Sequence, residues 1–563
     1  MKIEPMQDYA ATAGSFTLQL PRSFNFGRDV VDEQARRHDK PALIWCNEAG
    51  DERRFNFSDI SRLSGQLANL LVRQGVRRGD RVVILLPRLP EWQISMVACM
   101  KIGAIPIPCI EMLTRNDVDY RVTHSGATAA ITTPANTQKF DRCDALRVRV
   151  VVDNVAGRAL PPLLPPLVPM PVTAGAESGH KHACWIPLSE AGQESEFFEC
   201  ADLQLDDAAL LYYTSGSTGS PKGVLHASRG IYAWRLSAAW WQTLVEGDIK
   251  WCTADTGWAK AGTGILFGPW SRGSCVVFYD GKFDVNERLR LMEKYQVTVF
   301  CGPATEFRHL ISAPVKDYDL SSLRLCVSAG ESVNPDVVRQ WRLLTGAQLL
   351  DGYGQTETLM TILNYPCMPV KPGSMGKPIP GTHFEVVGPL DEVLGDDEEG
   401  QLAMRLPHPQ YMLGYWNDPQ RTADATRRVN GVDYWLTGDL GYRDQDGYIF
   451  YTGRTDDIIS SAGYRIGPTE VENALQEHPA VVESAVVASP DAERGEIVKA
   501  YIVLHEGIAP TDALIVDIQR HVKATTAPYK YPRQIEFVES LPKNPSGKLL
   551  RRVLRDQEFG IKR

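Results

Sequence analysis

The sequence has 563 residues, of which 43% are hydrophobic and 23% are charged, with a formal net charge of −9. This length exceeds what one hydrophobic core usually supports, so we expect a globular protein of two or more domains. The negative charge and the sequence pI of about 5.8 argue against a general nucleic-acid-binding protein, and no apolar run is long enough to predict integral membrane association.

The chain begins MKIEPMQDYAATAG, which carries acidic residues early and lacks an apolar segment. This start is typical neither of a secretory signal nor of an Arg-rich organelle leader. The eleven cysteines include no C-x-x-C pair, and several lie in apolar runs, which favours buried free thiols in a reducing compartment over disulfides or zinc ligands. We therefore expect a cytoplasmic protein.

Short apolar runs alternate with helical patterns over most of the first 450 residues. RVVILLP (81–87) and AIPIPCI (104–110) predict buried strands, and EWQISMVACMKIG (91–103) between them predicts a helix. This alternation is typical of βα units with parallel sheets, so the predicted fold class is α/β. LPPLLPPLVPMPV (160–172) predicts an extended surface connection, because proline removes hydrogen-bond donors and blocks helices.

The pattern changes near residue 400. QLAMRL and GYIFY, with the turns GDDEEG and DQDG, predict an antiparallel β portion, and the acidic run 396–399 predicts a solvated turn rather than a metal site. After residue 454 the predicted order is helix (468–478), strand (483–489), strand (498–506), helix (512–526). We predict a large domain at 1–454 and a small one at 455–563, with a hinge at 455–457.

The segment TSGSTGSPKG (214–223) is too rich in small residues to pack a core. Its backbone N–H groups and Lys222 suit a phosphate. It departs from the P-loop pattern, which needs Gly-Lys followed by Ser or Thr, because Lys222 lies between Pro221 and Gly223. It is therefore either a linker or a phosphate loop of another kind.

Four further stretches carry polar groups in turns. DGYGQTET (351–358) offers Tyr353 to a flat ring and the oxygen atoms of Thr356 and Glu357 to substrate and magnesium. WLTGDLG presents Asp439 between glycines, where it could accept two ribose hydroxyls. The other two are GRTDDIISSAGYRIGPTEVE (453–472) and PKNPSGKLLRR (542–552). Each alone is consistent with an ordinary turn, but their order makes coincidence a poor explanation.

Together these motifs resemble the adenylate-forming superfamily of acyl-CoA synthetases, luciferases and peptide-synthetase adenylation domains, over nearly the whole chain. TADTGWAK (253–260), SSAGYRIGPTEVENAL (460–475) and TAPYKYPRQIEF (526–537) are similar to medium-chain acyl-CoA synthetases. The resemblance implies a large N-terminal domain of two packed α/β subdomains plus a β portion, and a small mobile α+β C-terminal domain.

The implied activity is that of an AMP-forming acid–thiol ligase in fatty acid metabolism. A medium-chain carboxylic acid would react with MgATP to give an acyl-adenylate and pyrophosphate, and coenzyme A would then displace AMP to give the thioester. The implied partners are the small acid, ATP, Mg²⁺ and coenzyme A, for a protein that is a monomer or a homodimer.

The resemblance also implies roles for individual residues. Lys548, Thr356 and Glu357 would be catalytic, with Lys548 bridging the carboxylate and the α-phosphate; Glu357 and Thr218 would hold magnesium. Asp439 would take the ribose hydroxyls beside Arg454. The residues expected to bind ATP are Thr214, Ser215, Gly216, Ser217, Thr218, Gly219, Lys222, Gly223, Gly330, Glu331, Ser332, Asp351, Gly352, Tyr353, Gly354, Gln355, Thr356, Asp439 and Arg454.

The second half-reaction would follow rotation of the C-terminal domain about Asp456. Trp258 and Gly354 would line the acyl pocket: acetate-specific relatives carry a tryptophan where this chain has Gly354, so we expect a tunnel for longer acids, each buried CH₂ contributing about 0.8 kcal/mol. The residues expected at coenzyme A are Ala462, Gly463, Tyr464, Arg465, Arg494, Lys523, Tyr531, Pro532 and Arg533.

Several alternatives stay open from the sequence. A wide pocket would also admit aromatic or branched acids, such as benzoate or isobutyrate. An enzyme that loads a separate carrier protein is disfavoured by the coenzyme A-type C-terminal segment, and the chain ends about fifteen residues after Lys548, so we expect no fused carrier. Two further hypotheses are a non-catalytic nucleotide-binding protein and a luciferase-like oxygenase.

Overall fold

The computed structural model describes residues 3–37, 39–153, 184–214, 221–331, 333–461, 464–491, 493–527, 529–543 and 549–561. Two compact units make up the chain. Unit 1 comprises Met1–Val370, Ile379–Gly381 and Pro407–Ala423, and unit 2 comprises Lys371–Pro378, Thr382–Leu406 and Asp424–Arg563. The predicted domain boundary between residues 454 and 455, with its hinge at 455–457, stays a prediction.

Strands occur throughout the described residues. They are β1 (Pro41–Asn47), β2 (Glu52–Asn56), β3 (Arg81–Leu85), β4 (Ile105–Cys109), β5 (Ala129–Thr132), β6 (Val148–Val151), β7 (Ile186–Pro187), β8 (Ala208–Thr214), β9 (Lys222–Ala227), β10 (Ile249–Cys252), β11 (Cys275–Asp280), β12 (Val299–Cys301), β13 (Leu325–Ala329), β14 (Gln348–Gln355), β15 (Leu359–Leu363), β16 (Ser374–Pro378), β17 (Phe384–Val387), β18 (Gly400–Arg405), β19 (Gly414–Tyr415), β20 (Thr426–Val429), β21 (Val432–Arg443), β22 (Ile449–Arg454), β23 (Ile459–Ser461), β24 (Tyr464–Ile466), β25 (Val481–Asp491), β26 (Gly495–Leu504) and β27 (Gln534–Phe537).

The α-helices alternate with these strands in unit 1 and flank them in unit 2. They are α1 (Tyr9–Ser15), α2 (Glu33–Arg37), α3 (Phe57–Arg73), α4 (Pro90–Ile102), α5 (Arg115–Ser125), α6 (Ser228–Trp240), α7 (Ala259–Ala261), α8 (Phe267–Ser271), α9 (Val285–Lys294), α10 (Ala304–Leu310), α11 (Pro335–Thr345), α12 (Pro419–Asp424), α13 (Pro468–Gln476), α14 (Asp512–Thr525) and α15 (Arg551–Glu558). None of the helices in the described ranges is long and apolar enough to cross a membrane.

The described strands of unit 1 form three sheets. One runs in the order β15-β14-β13-β12-β10-β11-β1-β2, parallel from β14 to β1 and antiparallel at its two ends. A second, β4-β3-β5-β6-β7, is parallel throughout. The third is the small antiparallel sheet β19-β9-β8. Parallel strands followed by helices confirm the predicted α/β class.

Helix α4 shows how the sequence forms this core. Pro90 occupies the first turn, where its missing N–H costs nothing, and Gly103 ends the helix at a left-handed φ of 75°. Every residue of α4 is buried, which explains why its apolar residues are spread around the helix rather than confined to one face. Its Trp92 packs against Phe278 of β11, with ring centroids 6.4 Å apart.

Unit 2 contains a β part and an α+β part. The β part is the antiparallel sheet β17-β18-β21-β22-β16, with β20 on β21. The α+β part is the sheet β24-β23-β26-β25, with β27 parallel to β26. Glu472 of α13 accepts a hydrogen bond from Arg551 Nε of α15 at 2.8 Å. The antiparallel hairpins predicted near residue 400 and the predicted C-terminal helices are thus present.

Two other predictions concern loops and cysteines. The proline-rich segment 160–172 lies outside the described residues. Of the eleven cysteines, Cys184 is exposed, Cys200 and Cys367 are half-buried, and the rest are buried. Most of the thiols therefore lie in the core, as their apolar neighbours in the sequence predict.

Candidate active site

Strand β9 places two functional side chains on one face. Side chains alternate along a strand, so Lys222 and His226, four residues apart, point the same way. Both reach the turn between β14 and β15: Lys222 Nζ lies 2.8 Å from Glu357 Oε1, and His226 Nε2 lies 2.8 Å from the Thr356 carbonyl oxygen. A single strand thus contacts the two residues of the turn predicted to be catalytic.

The Glu357 carboxylate is the centre of a buried polar cluster. Only 5% of the residue is exposed. Its Oε1 accepts a hydrogen bond from Lys222 and another, also of 2.8 Å, from the hydroxyl of Tyr415. Lys222 Nζ in turn lies 2.9 Å from that hydroxyl. Three side chains from β9, the 356–358 turn and β19 therefore form one closed triangle of charge-assisted hydrogen bonds.

This cluster sets the charge of Glu357. Burial alone would raise the pKa of its carboxyl, but the Lys222 ammonium and the hydrogen bonds from Lys222 and Tyr415 hold that pKa below its ordinary value. Burial and the Glu357 charge raise the pKa of the Tyr415 phenol. The carboxyl is therefore a carboxylate at neutral pH, and Tyr415 is a neutral hydrogen-bond donor.

The turn that carries Glu357 is tight. A Cβ atom at Gly354 would lie 1.9 Å from the Leu359 carbonyl oxygen, so the close approach of β14 and β15 requires glycine there. Leu359 itself has a left-handed φ of 59°, which is uncommon for a bulky residue. The backbone N–H of Met412 donates to the Glu357 carbonyl at 2.9 Å. The close strand approach explains glycine at position 354 without any acyl chain. The acyl tunnel predicted there therefore stays a prediction.

Several residues of the predicted ATP set lie at the carboxyl ends of β13 and β14. Ser328 pairs with Asp351 and Ala329 with Gly352 across the two strands, which brings the segments VSAGES and DGYG together. The half-buried Asp351 accepts hydrogen bonds from the N–H groups of Gly352 and Val333, at 2.9 and 3.3 Å. Burial raises the pKa of Asp351 to about 7. The carboxyl ends of parallel strands are where α/β proteins bind ligands.

Other members of the predicted ATP set also lie at these strand ends. Gly330 has a left-handed φ of 97°, and space is open where its Cβ would be. Glu331 accepts a hydrogen bond from the Thr305 N–H at 2.9 Å. Tyr353 and Gln355 are half-buried on β14. Thr214 ends β8 and pairs with Lys222 at the start of β9, so the two ends of the predicted phosphate loop are adjacent.

In unit 2, Asp439 and Arg454 face each other across a hairpin. They are direct register partners on β21 and β22, and Arg454 Nη1 donates to Asp439 Oδ1 at 2.9 Å. Asp439 is buried. Burial lowers the pKa of the Arg454 guanidinium, but the Asp439 and Asp456 charges together raise it above its ordinary value. The pair predicted to hold a ribose is thus an ion pair.

The predicted hinge follows β22. Thr455 donates its N–H to the Gly438 carbonyl at 2.9 Å. Asp456 is exposed, and its carbonyl accepts a hydrogen bond from Arg555 of α15. Arg555 also lies 3.7 Å from a carboxylate oxygen of Asp457. The segment 455–457 is therefore held by backbone and side-chain contacts of unit 2.

Three residues predicted at coenzyme A form a cluster. Lys523 Nζ lies 3.8 Å from the ring centroid of Tyr531, and the Arg533 guanidinium carbon lies 5.0 Å from it. Arg533 also donates to the Tyr531 hydroxyl at 3.1 Å. Pro532 between them is buried. The aromatic ring stabilises the two cations beside it, and their charges suit phosphate groups.

The remaining predicted residues lie on separate elements. Arg494 Nε lies 3.5 Å from Ser461 Oγ, Tyr464 and Arg465 belong to strand β24, and Trp258 is half-buried at the start of α7. Within the described ranges, no group of three or more His, Cys, Asp and Glu side chains could hold a metal ion. The residues that lie outside the described part of the chain are Ser215, Gly216, Ser217, Thr218, Gly219, Ser332, Ala462, Gly463 and Lys548.

Sequence reasoning missed two contacts of the site. Tyr415 comes from a segment far along the chain, and no local pattern connects it to Glu357. His226 carries a usable signal: it follows Lys222 at an even spacing in a predicted strand, so the two share a face. Once Lys222 is assigned to the site, that spacing points to His226 as well.

Comparison with known families and proteins agrees with this geometry. The family model described as "AMP-binding enzyme" matches residues 31–416, and "AMP-binding enzyme C-terminal domain" matches residues 470–548. The first match covers unit 1's sheets and both the Lys222 and Glu357 positions. The second covers most of the predicted small domain.

Curated relatives match over nearly the whole chain. The mitochondrial acyl-coenzyme A synthetase ACSM3 of Mus musculus is 39% identical over 572 residues, which cover 98% of this chain and 93% of that protein. ACSM4 of Mus musculus is 40% identical and covers 96% and 92%. ACSM5 of Homo sapiens is 38% identical, with the same coverage.

Solved structures share the architecture. The anthranilate CoA ligase AuaEII in complex with anthranoyl-AMP matches with a TM-score of 0.82 and 29% identity, covering 96% of this chain and 98% of that one. An acyl-CoA synthetase of Brucella canis matches with a TM-score of 0.71 and 31% identity, covering 99% of each chain.

The names of the curated relatives place those proteins in mitochondria, which contradicts the predicted cytoplasmic location. That prediction is wrong. It was based on the composition of the first residues and on buried thiols, and neither determines location, because targeting segments are read by receptors and are not part of the fold.

The family is settled by the breadth of these matches. One family model spans well over half of the chain, and relatives near 39% identity span almost all of it. They confirm the predicted resemblance, and the printed names agree with the predicted class of enzyme. This chain belongs to the AMP-binding enzyme family.

Proposed function

We propose that this protein is an ATP-dependent acyl-CoA synthetase that converts a medium-chain carboxylic acid into its coenzyme A thioester, releasing AMP and pyrophosphate. The observation that carries the proposal is the buried, ionised Glu357 held by Lys222 and Tyr415, at a turn next to the carboxyl ends of the parallel strands. The relatives named acyl-coenzyme A synthetases supply the reaction class.

The difficulty of the first half-reaction is that a carboxylate must approach a polyanion. Cations placed in advance lower this barrier by stabilising the charge that develops at phosphorus. Lys222, at the end of the predicted phosphate loop, would bind the β- and γ-phosphates. Thr356 would bind the α-phosphate, and Lys548 would bridge it to the incoming carboxylate.

Magnesium fits the Glu357 position. The carboxylate is buried and kept ionised, and one carboxylate combined with substrate phosphates is a usual way for proteins to bind Mg²⁺. Glu357, with the predicted Thr218, would hold the ion, which would neutralise negative charge on the phosphates. Lys222, which contacts the same carboxylate oxygen in this structure, would then bind phosphate.

The residues of unit 2 would serve the nucleotide sugar and the thiol substrate. A carboxylate that accepts hydrogen bonds from two hydroxyl groups is a suitable ribose ligand, and Arg454 keeps Asp439 oriented. Lys523 and Arg533, which flank the Tyr531 ring, would contact the phosphates of coenzyme A. No dedicated base is needed for the thiol, because a pKa of about 8.5 lets it ionise readily.

The acyl substrate has two candidates. A medium-chain acid is favoured by the resemblance of TADTGWAK and by the absence of a tryptophan at Gly354. An aromatic acid is the second candidate, favoured by the structural match to an anthranilate CoA ligase. Trp258 would form a wall of the acyl pocket in either case.

The test is pyrophosphate release from MgATP with straight-chain acids of two to twelve carbons, isobutyrate, benzoate and anthranilate, with and without coenzyme A. We expect coenzyme A-dependent turnover that peaks between four and ten carbons. A peak with the aromatic acids would support the second candidate, and a peak with acetate would contradict the tunnel. Exchange of pyrophosphate without thioester would favour transfer to a carrier protein, and no activity with any acid would overturn the proposal.

Lys548 offers a sharper test of the mechanism. Lys548→Ala should lower acyl-adenylate formation by about 10²-fold or more, while the purified acyl-adenylate should still be converted to thioester at nearly the normal rate. Lys543→Ala is the matched control, because Lys543 lies in the same segment but pairs with Glu483 at 2.8 Å. Equal losses in both half-reactions would contradict the assigned role.

A further inference from the structure

We propose that His226 is a positioning residue: its neutral imidazole donates the Nε2–H to the Thr356 carbonyl and so fixes the turn that places the Thr356 hydroxyl and the Glu357 carboxylate. This inference rests on the proposed function of the turn. The contact is 2.8 Å long, and His226 is fully buried, with 0% exposure.

The partner defines the tautomer. A carbonyl oxygen can only accept, so Nε2 must carry the proton and Nδ1 must be the unprotonated nitrogen. Nδ1 is buried and has no hydrogen-bond partner among the described residues. A doubly protonated ring would leave a second buried N–H without an acceptor, which is costly. His226 is therefore neutral in the folded protein.

The surroundings of the ring hold it in place. Trp234 and Tyr212 pack edge-to-face against it, with centroids 5.0 and 6.2 Å away. Burial lowers the pKa of His226 to about 4, although the hydrogen bond to Thr356 and the Glu357 charge act in the opposite direction. The ring thus packs against two aromatic side chains and points one N–H at one acceptor.

The turn needs such anchors because its backbone is not relaxed. Leu359 is held at a φ of 59°, a conformation that a bulky residue keeps only when its neighbours enforce it. Two separate donors fix the two consecutive carbonyls before it: His226 binds that of Thr356, and the Met412 N–H binds that of Glu357. The Glu357 carboxylate has its own partners in Lys222 and Tyr415. His226 is therefore the side-chain donor that fixes the Thr356 peptide.

The test compares two substitutions. His226→Phe keeps an aromatic ring but removes the donor, and His226→Gln places an amide N–H near the former Nε2 position. His478→Phe is the control: His478 is a buried histidine of unit 2, and its ring nitrogens contact Asp517 and the Ala480 N–H of that unit. For each variant, acid-dependent ATP–pyrophosphate exchange gives kcat and KM, and calorimetry gives the Kd for MgATP without acid.

We expect His226→Phe to lower kcat for exchange by about 10²-fold, because small displacements of catalytic groups have effects of that size, and to weaken MgATP binding. His226→Gln should recover most of both losses, and the KM for the acid should change little. His478→Phe should leave all of these constants unchanged.

Full activity in His226→Phe would overturn the inference. Equal losses in the Phe and Gln variants would overturn it too, because a merely structural role would not distinguish a donor from a ring. If the wild-type protein forms no thioester with any acid, the proposed function fails. The MgATP affinities of the two variants then still decide whether His226 positions the turn.

Discussion

Two buried carboxylates, Glu357 in unit 1 and Asp439 in unit 2, are each paired with a basic side chain, and both carboxylate side chains are only 6% exposed. Their partners differ in origin. Arg454 is 15 residues from Asp439 and is its register partner across a hairpin. Lys222 and Tyr415 are 135 and 58 residues from Glu357.

The difference shows how each site is built. The ladder of β21 and β22 places Asp439 and Arg454 together whenever the hairpin forms, so local pairing suffices. Glu357 reaches its partners only when β9, β19 and the 356–358 turn pack correctly. A site of the first kind depends on the pairing of two neighbouring strands, whereas the second depends on the packing of three separate segments of unit 1 and is more sensitive to changes at a distance.

The largest expected effect follows from removing the charge of Glu357. Glu357→Gln leaves the Lys222 ammonium without its counter-charge and removes the proposed magnesium ligand. Acyl-adenylate formation should fall by about 10²–10³-fold, and the Mg²⁺ concentration for half-maximal rate should rise. Pyrophosphate exchange over a range of Mg²⁺ concentrations measures both.

Glu306→Gln is the control for that experiment. Glu306 is also a buried carboxylate of unit 1, paired with Arg288 at 2.5 Å, but no part of the proposed reaction uses it. This variant should lose stability while keeping its Mg²⁺ dependence. If Glu357→Gln behaves like Glu306→Gln, then Glu357 serves only in a structural ion pair with Lys222, and its proposed role as a magnesium ligand is contradicted.

The turn that carries Glu357 should also make the stability of the protein depend on pH, through His226. The folded-state pKa of His226, about 4, lies below the ordinary value of about 6.5, so the unfolded chain binds a proton first. The contribution of His226 to the free energy of unfolding is therefore complete above pH 6.5 and is lost as the pH drops toward 4. Between pH 7.5 and pH 5.0, His226 should account for a loss of about 2 kcal/mol.

The measurement is the free energy of unfolding of wild type and His226→Gln at these two pH values. The charged groups that act on the pKa of His226, Glu357 and Arg229, are the same in both proteins, so the difference reports His226. The wild type should lose more stability on acidification than the variant. Equal losses would show that His226 is protonated at the same pH in the folded and unfolded chain.

Much of this architecture follows from sequence. The strand–helix alternation predicts RVVILLP, EWQISMVACMKIG and AIPIPCI as β3, α4 and β4, to within two residues, because short apolar runs alternate with a run of helix length. The motifs single out Asp439 and Glu357 as candidate site residues, and their roles stay predictions. Tyr415 is missed because its contact with Glu357 is a tertiary one. The requirement for glycine at position 354 is missed for the same reason, because it comes from the Leu359 carbonyl oxygen on the neighbouring strand.

Asp439 should show the behaviour of a locally built site. In wild type, 2′-deoxy-ATP should be a poorer substrate than ATP by about 10-fold, the effect of one lost hydrogen bond to a charged group. Asp439→Asn should react more slowly with ATP and discriminate less between the two nucleotides. Steady-state kcat/KM for both nucleotides measures this. Unchanged discrimination would show that the ribose is bound elsewhere.

The smallest expected effect concerns Tyr415, whose hydroxyl reinforces the Glu357 cluster. Tyr415→Phe removes one hydrogen bond to the carboxylate but leaves the Lys222 contact, so exchange should slow by about 5–10-fold, as for one charge-assisted bond. Tyr213→Phe on neighbouring β8, whose hydroxyl contacts His124 at 2.8 Å, is the matched control. Pairing Tyr415→Phe with Lys222→Met in a double-mutant cycle should give strongly non-additive losses. Additive losses would mean that the two residues bind Glu357 independently, and the site of unit 1 would then be no more interdependent than the hairpin of unit 2.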